Sequence, residues 1–452
     1  MTNKKTAVGI LGGGITGLTT AYALAQKGIA STVYEQHPEV GGAIRSISEN
    51  GWLVEEGPNT LMVKSQAVWD LLDKLELSSQ MVEANKKSKK RYVVKNGKPV
   101  ALPTSLGSFI SSPLLSVGAK LRLFKEPWMP RSVKHDESIA TFISRRLGKQ
   151  PLDYAVNPFV SGIYAGDPKQ LSVKHTFGTL WEMEQEHGSL IKGMLKKKRP
   201  KQRPKRALIS FRGGNQTLPK ALAETLPHPV QTSTTVTSVA RHESGWEVQS
   251  HSKEGAQTGV HRCLISTLPT YVLPGIFASK LFKELSSLPY APLSVIALGF
   301  KKSEIKHPLD GFGMLIPEVE NYNTLGTLFS STLFGDRSPK NYHLLTCFIG
   351  GDRNPDLASE PTEKLRDIVT EELNQLLGIA GEPVFSHHNY WPRAIPQYKV
   401  GFDRYLSVMR EVEKEHPGLY LAGNYRNGVS VPDCLSSGFE TAQKVQTFLQ
   451  SK

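Results

Sequence analysis

Apolar and polar positions along this chain of 452 residues change period several times. Val8, Gly9, Ile10 and Leu11 form a short run of strand length, and after a glycine-rich gap Leu18, Ala21, Tyr22, Leu24 and Ala25 recur at helical spacing. Residues 31–35 read as a second strand that stops on Glu35. Val68, Leu71, Leu72 and Leu75 share one face of an amphipathic helix over 68–77, and 91–102 reads as a hairpin folded on Asn96-Gly97. Across 109–211 the periods are mostly helical, with few strand signals and many prolines. Strand character returns at 234–239, 246–248 and 262–269, then at 293–300 and 343–350. A charged helix covers 362–377, a strand enters a glycine turn at 418–424, and a last helix covers 438–449. No internal repeat is present. The late return of strands predicts a domain assembled from separated pieces.

The gap between the first strand and the first helix is Gly12-Gly13-Gly14-Ile15-Thr16-Gly17, a G-x-G-x-x-G pattern in the strand-turn-helix setting that gives it meaning. Gly12 permits the tight turn, Gly14 lets backbone amides approach a pyrophosphate, and Gly17 lets helix and strand pack closely. Glu35, about 20 residues on, can accept from both ribose hydroxyls and would repel a 2'-phosphate. A plain glycine turn is the competing reading; the flanking strands and Glu35 favour a bound dinucleotide. FAD and NAD share such a half-site. Val40-Gly41-Gly42-Ala43-Ile44-Arg45 resembles the second glycine motif of the amine-oxidase-like flavoproteins, which implies FAD, with Arg45 as a cation near the pyrophosphate. Beyond it, Glu56-Gly57-Pro58-Asn59 is a turn with a glycine where backbone can approach a flat ring, and Asn59 lies beside it.

Length asks for two or three domains. No apolar run reaches the roughly 18 residues that span a bilayer, and 1–6 is short and polar for a signal or transit peptide, so the chain is expected to stay where it is made. Cys263, Cys347 and Cys434 are far apart and odd in number, which argues against a disulfide framework or zinc site and for a reducing cytoplasm. The net charge of +14 has a local origin: 86–91 holds five cations and 192–206 holds nine, and the remaining 41 basic residues equal the 41 acidic ones. Such runs meet nucleic acid, anionic lipid or an acidic small molecule, or stay solvated. Nucleic acid is disfavoured because no nucleic-acid module accompanies them. Leu114, Leu115, Val117, Leu121, Leu123, Phe124 and Trp128 make an apolar stretch in this basic setting, either a core helix or an interfacial helix dipping into lipid.

The segment from Leu421-Ala422-Gly423-Asn424 to Pro432-Asp433-Cys434 resembles the C-terminal FAD segment of the protoporphyrinogen and coproporphyrinogen oxidases. Ser161-Gly162-Ile163-Tyr164-Ala165-Gly166-Asp167-Pro168, Ser210-Phe211-Arg212-Gly213-Gly214 and Trp391-Pro392-Arg393-Ala394-Ile395-Pro396-Gln397-Tyr398 resemble the same family, in order, so the likeness covers essentially the whole chain. It implies an α/β molecule in three parts. A discontinuous Rossmann-like FAD domain would use 1–80, 206–275 and 391–452; a mixed-sheet substrate domain 81–98 and 276–390; a helical, membrane-associated domain 99–205. Carried over by motif, Gly12, Gly13, Gly14, Ile15, Thr16, Gly17, Glu35, Gln36, Gly42, Ala43, Arg45, Gly57, Pro58, Asn59 and Thr60 would contact FAD, with Val236 presenting its backbone to the adenine. Trp391, Gly428, Val429, Ser430 and Val431 would lie by the isoalloxazine. Arg91 would meet a substrate propionate and Phe312 would flank the macrocycle; the alternatives are the solvated end of a basic run and ordinary packing.

The implied chemistry is removal of hydride from a porphyrinogen meso carbon, in three two-electron rounds, with oxygen as acceptor and hydrogen peroxide formed. No acid-base residue is required; Asn59 is the one tentative catalytic candidate, and His187, His387 and His388 read as surface or structural groups. No metal is expected, and the flavin is expected to be non-covalent although Cys434 lies in its segment. Protoporphyrinogen IX is the preferred substrate and coproporphyrinogen III the near alternative, in heme biosynthesis, with a flavin amine oxidase as a more distant one. Expected partners are the porphyrinogen, oxygen, an anionic membrane surface at the cytoplasmic face, and the next heme-pathway enzyme; a homodimer is left open.

Overall fold

A computed structural model describes residues 4–196 and 205–451. The basic run expected at 192–206 therefore falls largely outside the described residues. Strand Val8–Leu11 is the inner member of a four-stranded parallel sheet in the order Leu419–Leu421, Cys263–Ser266, Val8–Leu11, Ser31–Tyr34. Three distant stretches of chain thus meet in one sheet. They meet because each is apolar on the face turned to the helices: Val8, Ile10, Val33, Cys263 and Ile265 pack with Ala21 and Leu24 of helix Ile15–Ala25 and with Ala442 and Val445 of helix Val431–Gln450. The last helix starts at Val431, ahead of the 438 read from periodicity. Ser430 and Asp433 cap it reciprocally and a proline sits in its first turn, which is a start signal independent of apolar spacing.

The second layer is a seven-stranded mixed sheet in the order Phe385–Pro396, Tyr290–Lys301, Tyr342–Gly350, Thr324–Leu328, Gly311–Leu315, Lys90–Lys95, Lys98–Ala101. All neighbours are antiparallel except Gly311–Leu315 with Lys90–Lys95. The boundaries drawn at 98 and 390 both cut strands, because hairpin strand Lys98–Ala101 and edge strand Phe385–Pro396 run through them. Asn96 and Gly97 both take left-handed φ (52° and 68°), the turn that a two-residue hairpin needs. One face of this sheet buries Ile296, Leu298, Phe300, Leu345 and Ile349 against Leu365, Val369 and Leu373 of helix Thr362–Leu377.

Between the hairpin and strand Ala207–Phe211 the described chain is helical, from Leu106–Ser111 to Leu190–Lys196. Its centre holds charges: Arg146, Glu126 and Glu184 are fully buried. Arg146 Nε donates to Glu184 Oε1 at 2.6 Å and its terminal nitrogens to the carbonyls of Met129 and Gly188. Glu126 accepts from the Leu190 and Ile191 amides, so it caps the helix that leads toward the basic run. Leu114 of the apolar stretch is buried, whereas Val117, Leu121, Phe124 and Trp128 face outward. Among the described residues no helix is long and apolar enough to cross a membrane. A four-stranded sheet of Lys4–Lys5, Gly255–His261, Gly245–Ser252 and Thr235–His242 completes the fold, with smaller pieces joining the layers.

Candidate functional site

The two glycine motifs lie side by side. Gly12 takes φ +102° and its N–H donates to the Tyr34 carbonyl at 2.8 Å. A methyl group on Gly17 would sit 2.2 Å from the Gly12 carbonyl oxygen, so helix and turn meet only because no side chain is there. The Gly41 amide donates to the Gly13 carbonyl at 2.9 Å, and Gly42, at φ +60°, packs against Gly14. Gly14 is different: nothing lies within 4 Å of where its side chain would be. It is the N-cap of helix Ile15–Ala25 and supplies no side-chain cap, so the first-turn amides, at Ile15 and Thr16, face this open space without a side-chain acceptor. An open cradle at an uncapped helix N-terminus fits a pyrophosphate.

At the end of the second strand Glu35 is buried, accepting from the Gly13 amide and the His37 amide, each at 2.8 Å. Gln36 beside it is exposed. The Thr234 amide donates to the Glu35 carbonyl, which brings the start of strand Thr235–His242, with Val236, to the same end of the cradle. A register shift follows Val236 in its ladder.

Gly57 also serves the protein's own packing. A methyl group there would lie 2.0 Å from the Ala43 carbonyl oxygen, so this glycine lets two backbone segments cross. The crossing sets Arg45 beside Trp391: the guanidinium stands 5.5 Å from the indole centroid, and Trp391 Nε1 donates to the Glu56 carbonyl at 2.7 Å. His387 Nε2 lies 3.0 Å from Glu56 Oε1, a second tie between the edge strand of the large sheet and the cradle. His388 bonds Ser294 and Thr362, and His187 sits beside Glu186. Asn59 donates to the Gly57 carbonyl at 2.9 Å, closing its own turn, and the Pro58 carbonyl accepts from Asn215, while Thr60 is half-buried.

The third wall is the turn Gly428, Val429, Ser430 leading into Val431. Gly428 takes φ +120° and its amide donates to the Tyr398 hydroxyl at 3.1 Å. One turn into the helix, Cys434 is buried, and burial pushes its thiol up to about 12. It stays protonated and is a poor nucleophile toward a bound ring.

Arg91 and Phe312 come together on the large sheet: the guanidinium stands 5.2 Å from the phenyl centroid. Their strands run parallel with Gly311 opposite Lys90 and Met314 opposite Tyr92, so Phe312 and Gly313 form a bulge facing Arg91. Gly313, at φ +154°, passes so close to the Thr327 carbonyl that a methyl group would lie 2.3 Å from its oxygen.

A sequence model of the flavin containing amine oxidoreductases matches residues 15–446. The chain belongs to that family. It is 38% identical to protoporphyrinogen oxidase 2, chloroplastic/mitochondrial, of Arabidopsis thaliana, over 98% of this chain and 94% of that one. It is 28% identical to coproporphyrinogen III oxidase of Bacillus subtilis (strain 168), with 100% of both chains covered. Among solved structures, a chain provisionally assigned as protoporphyrinogen oxidase from Exiguobacterium sp. 255-15 superposes with a TM-score of 0.82 at 24% identity, covering 99% of each chain, and so shares the fold.

In this flavin-containing amine oxidoreductase the residues that sequence reading missed are those that tie separated pieces together. Glu55, at the end of strand Trp52–Glu55, is 3% exposed and lies against Arg337, 2% exposed. Ser46, the Asn215 amide and Arg337 all bond Glu55 or its neighbours, yet burial dominates and pushes its carboxyl up to about 7. Glu55, Asn59, Arg337, Ser330 and Thr346 line a narrow cavity between cradle and large sheet. Nothing local signals such a pair, since its halves are nearly three hundred residues apart in sequence.

Proposed function

We propose that this chain is an FAD-dependent porphyrinogen oxidase that converts protoporphyrinogen IX to protoporphyrin IX in heme biosynthesis, with oxygen as acceptor. The observation that carries the reading is the full-length likeness to proteins named protoporphyrinogen oxidase, on a chain whose open Gly14 cradle suits a dinucleotide. FAD is the flavin favoured because Glu35, held at the strand end by the Gly13 amide, suits a ribose, and the second glycine motif runs back along the first. When bound, FAD supplies the hydride-accepting chemistry.

The protein's own work is to bind, orient and enclose. Helix Ile15–Ala25 offers its amides to the pyrophosphate, and Arg45 adds a positive charge held in place by Trp391. Gly428 through Val431, at the start of the last helix, and Trp391, tied to the cradle through Glu56 and Arg45, are the segments that would meet the ring. Arg91 suits a propionate, with Phe312 as the apolar surface against which a macrocycle lies. The reading is tested by aerobic fluorescence with both porphyrinogens on purified protein. Porphyrin emission rising faster with protoporphyrinogen IX supports it; faster coproporphyrinogen III oxidation moves the substrate to that relative's; no emission with either rejects it.

The same reading places the helical unit at an anionic membrane surface. Val117, Phe124 and Trp128 are 72%, 67% and 78% exposed, next to Lys120 and Lys125, and side chains of this kind enter the headgroup boundary while the lysines meet lipid phosphates. Sedimentation with anionic vesicles and not with zwitterionic ones is the expected result, and no binding to either removes the membrane part.

A further inference from the structure

Arg91 is flanked on its strand by Lys90 and Tyr92, and one carboxylate holds both neighbours. Lys90 Nζ lies 2.5 Å from Asp310 Oδ2, and the Tyr92 hydroxyl donates to Asp310 Oδ1 at 2.5 Å. Asp310 precedes the Gly311–Leu315 strand, so this grip fixes the register in which the Phe312 bulge meets Arg91. The bonds from Lys90 and Tyr92 hold the Asp310 carboxyl below the usual carboxylate range. His307, whose ring stands edge-on to Tyr92 at 4.9 Å, has its pKa lowered by burial. Among the described residues no acidic side chain is ion-paired with Arg91. Arg91, Lys90 and Asp310 therefore sum to a single positive charge.

We propose that Asp310 is a specificity-determining residue: by cancelling Lys90 it lowers by one unit the positive charge that Lys86, Lys87, Lys89 and Arg91 build at this corner, which favours a tetrapyrrole carrying two carboxylates over one carrying four. The claim rests on the porphyrinogen reading above and names which member of that substrate class the site selects. Lys90 and Arg91 are consecutive on a strand and point to opposite faces, so Lys90 acts through the field at the corner and makes no direct bond to the propionate. Its side chain is half exposed, and solvent screens that field strongly. The effect is accordingly set at about fivefold, from one unit charge several ångströms away in a high effective dielectric.

The test is fluorescence titration of the purified protein with protoporphyrin IX and with coproporphyrin III, which reads binding without turnover. Asp310→Asn is expected to raise the preference for coproporphyrin about fivefold, and Lys90→Met to lower it by a similar factor, since each moves the local charge by one unit in opposite directions. The double variant restores the wild-type ratio, and about 0.5 M salt compresses all the differences. An unchanged ratio in both single variants overturns the proposal. So does a ratio that shifts the same way in both, because that marks a structural disturbance of the strand. Failure of the wild type to oxidise any porphyrinogen would reject the proposed function while the binding ratios still decide the role of Asp310.

Discussion

Around the glycine turns the packing is backbone on backbone over apolar side chains, with Val8, Ile10 and Ile265 under the sheet and Gly17 against the Gly12 carbonyl, and the buried Glu35 is taken up by backbone amides. The helical unit differs: beside its own apolar core it buries Arg146, Glu126 and Glu184 completely, while Val117, Phe124 and Trp128 face out. The contrast teaches where each part is rigid and why. The cradle is specified by close backbone approach, which only glycine permits. The helical unit packs Phe142, Ile143, Val160 and Leu171 in a core of its own and is further specified by directional bonds from Arg145 and Arg146 to carboxylates and helix ends, while a separate set of apolar side chains faces out.

The most severe break falls on the charged centre. Arg146→Ala leaves Glu126 and Glu184 without their buried cation, and the expected cost is about 3–5 kcal/mol. Urea unfolding measures it, and limited proteolysis should cut first within 106–196 while flavin uptake persists. A comparable loss in flavin uptake would show that the two regions unfold as one.

The cradle side has its own buried pair, and pH sharpens the comparison there. Glu55 has a carboxyl raised from 4.5 to about 7, so it takes up a proton on folding between those values. Its stabilising contribution is full below the lower value and is lost as pH rises through the upper one, a swing of about 3 kcal/mol. Glu55→Gln removes that slope. Chemical unfolding of both proteins from about pH 5 to about pH 8 gives the difference; parallel curves would discard it.

Next in size is Gly17→Ala. The added methyl group meets the Gly12 carbonyl, and overpacking of this kind costs about 1–3 kcal/mol. Visible absorbance of the purified variant should show flavin bound at least about tenfold more weakly, since the first-turn amides shift with the helix. Full yellow colour with unchanged affinity would mean the helix can move away without consequence.

The mildest change for the fold is Phe124→Glu. An outward side chain leaves stability within about 0.5 kcal/mol. Vesicle sedimentation, by contrast, should fall about tenfold, since one buried aromatic and one favourable charge balance are lost.

What the sequence made legible was the part of the molecule governed by local rules. Val8–Leu11, the G-x-G-x-x-G turn and the Asn96-Gly97 hairpin each state their geometry within a few residues. Strand Gly255–His261 went unread because its residues are mostly polar or small and only Gly259 and His261 are buried. The start of the last helix was missed because its signal is a cap, Ser430 with Asp433, and not apolar spacing. That Gly57 is also required by Ala43, fourteen positions earlier in the chain, was not legible from its turn alone. The Arg337–Glu55 pair and the Asp310 grip depend on which strands become neighbours, and no window of sequence holds both partners.

The sheet that carries the first glycine turn takes one of its edge strands, Leu419–Leu421, from near the end of the chain, and the wall at Gly428 follows it. During translation, then, the first glycine turn leaves the ribosome hundreds of residues before its own platform is complete. The nascent protein must hold an unfinished hydrophobic seam open through most of its synthesis, and flavin capture becomes one of the last events in its maturation.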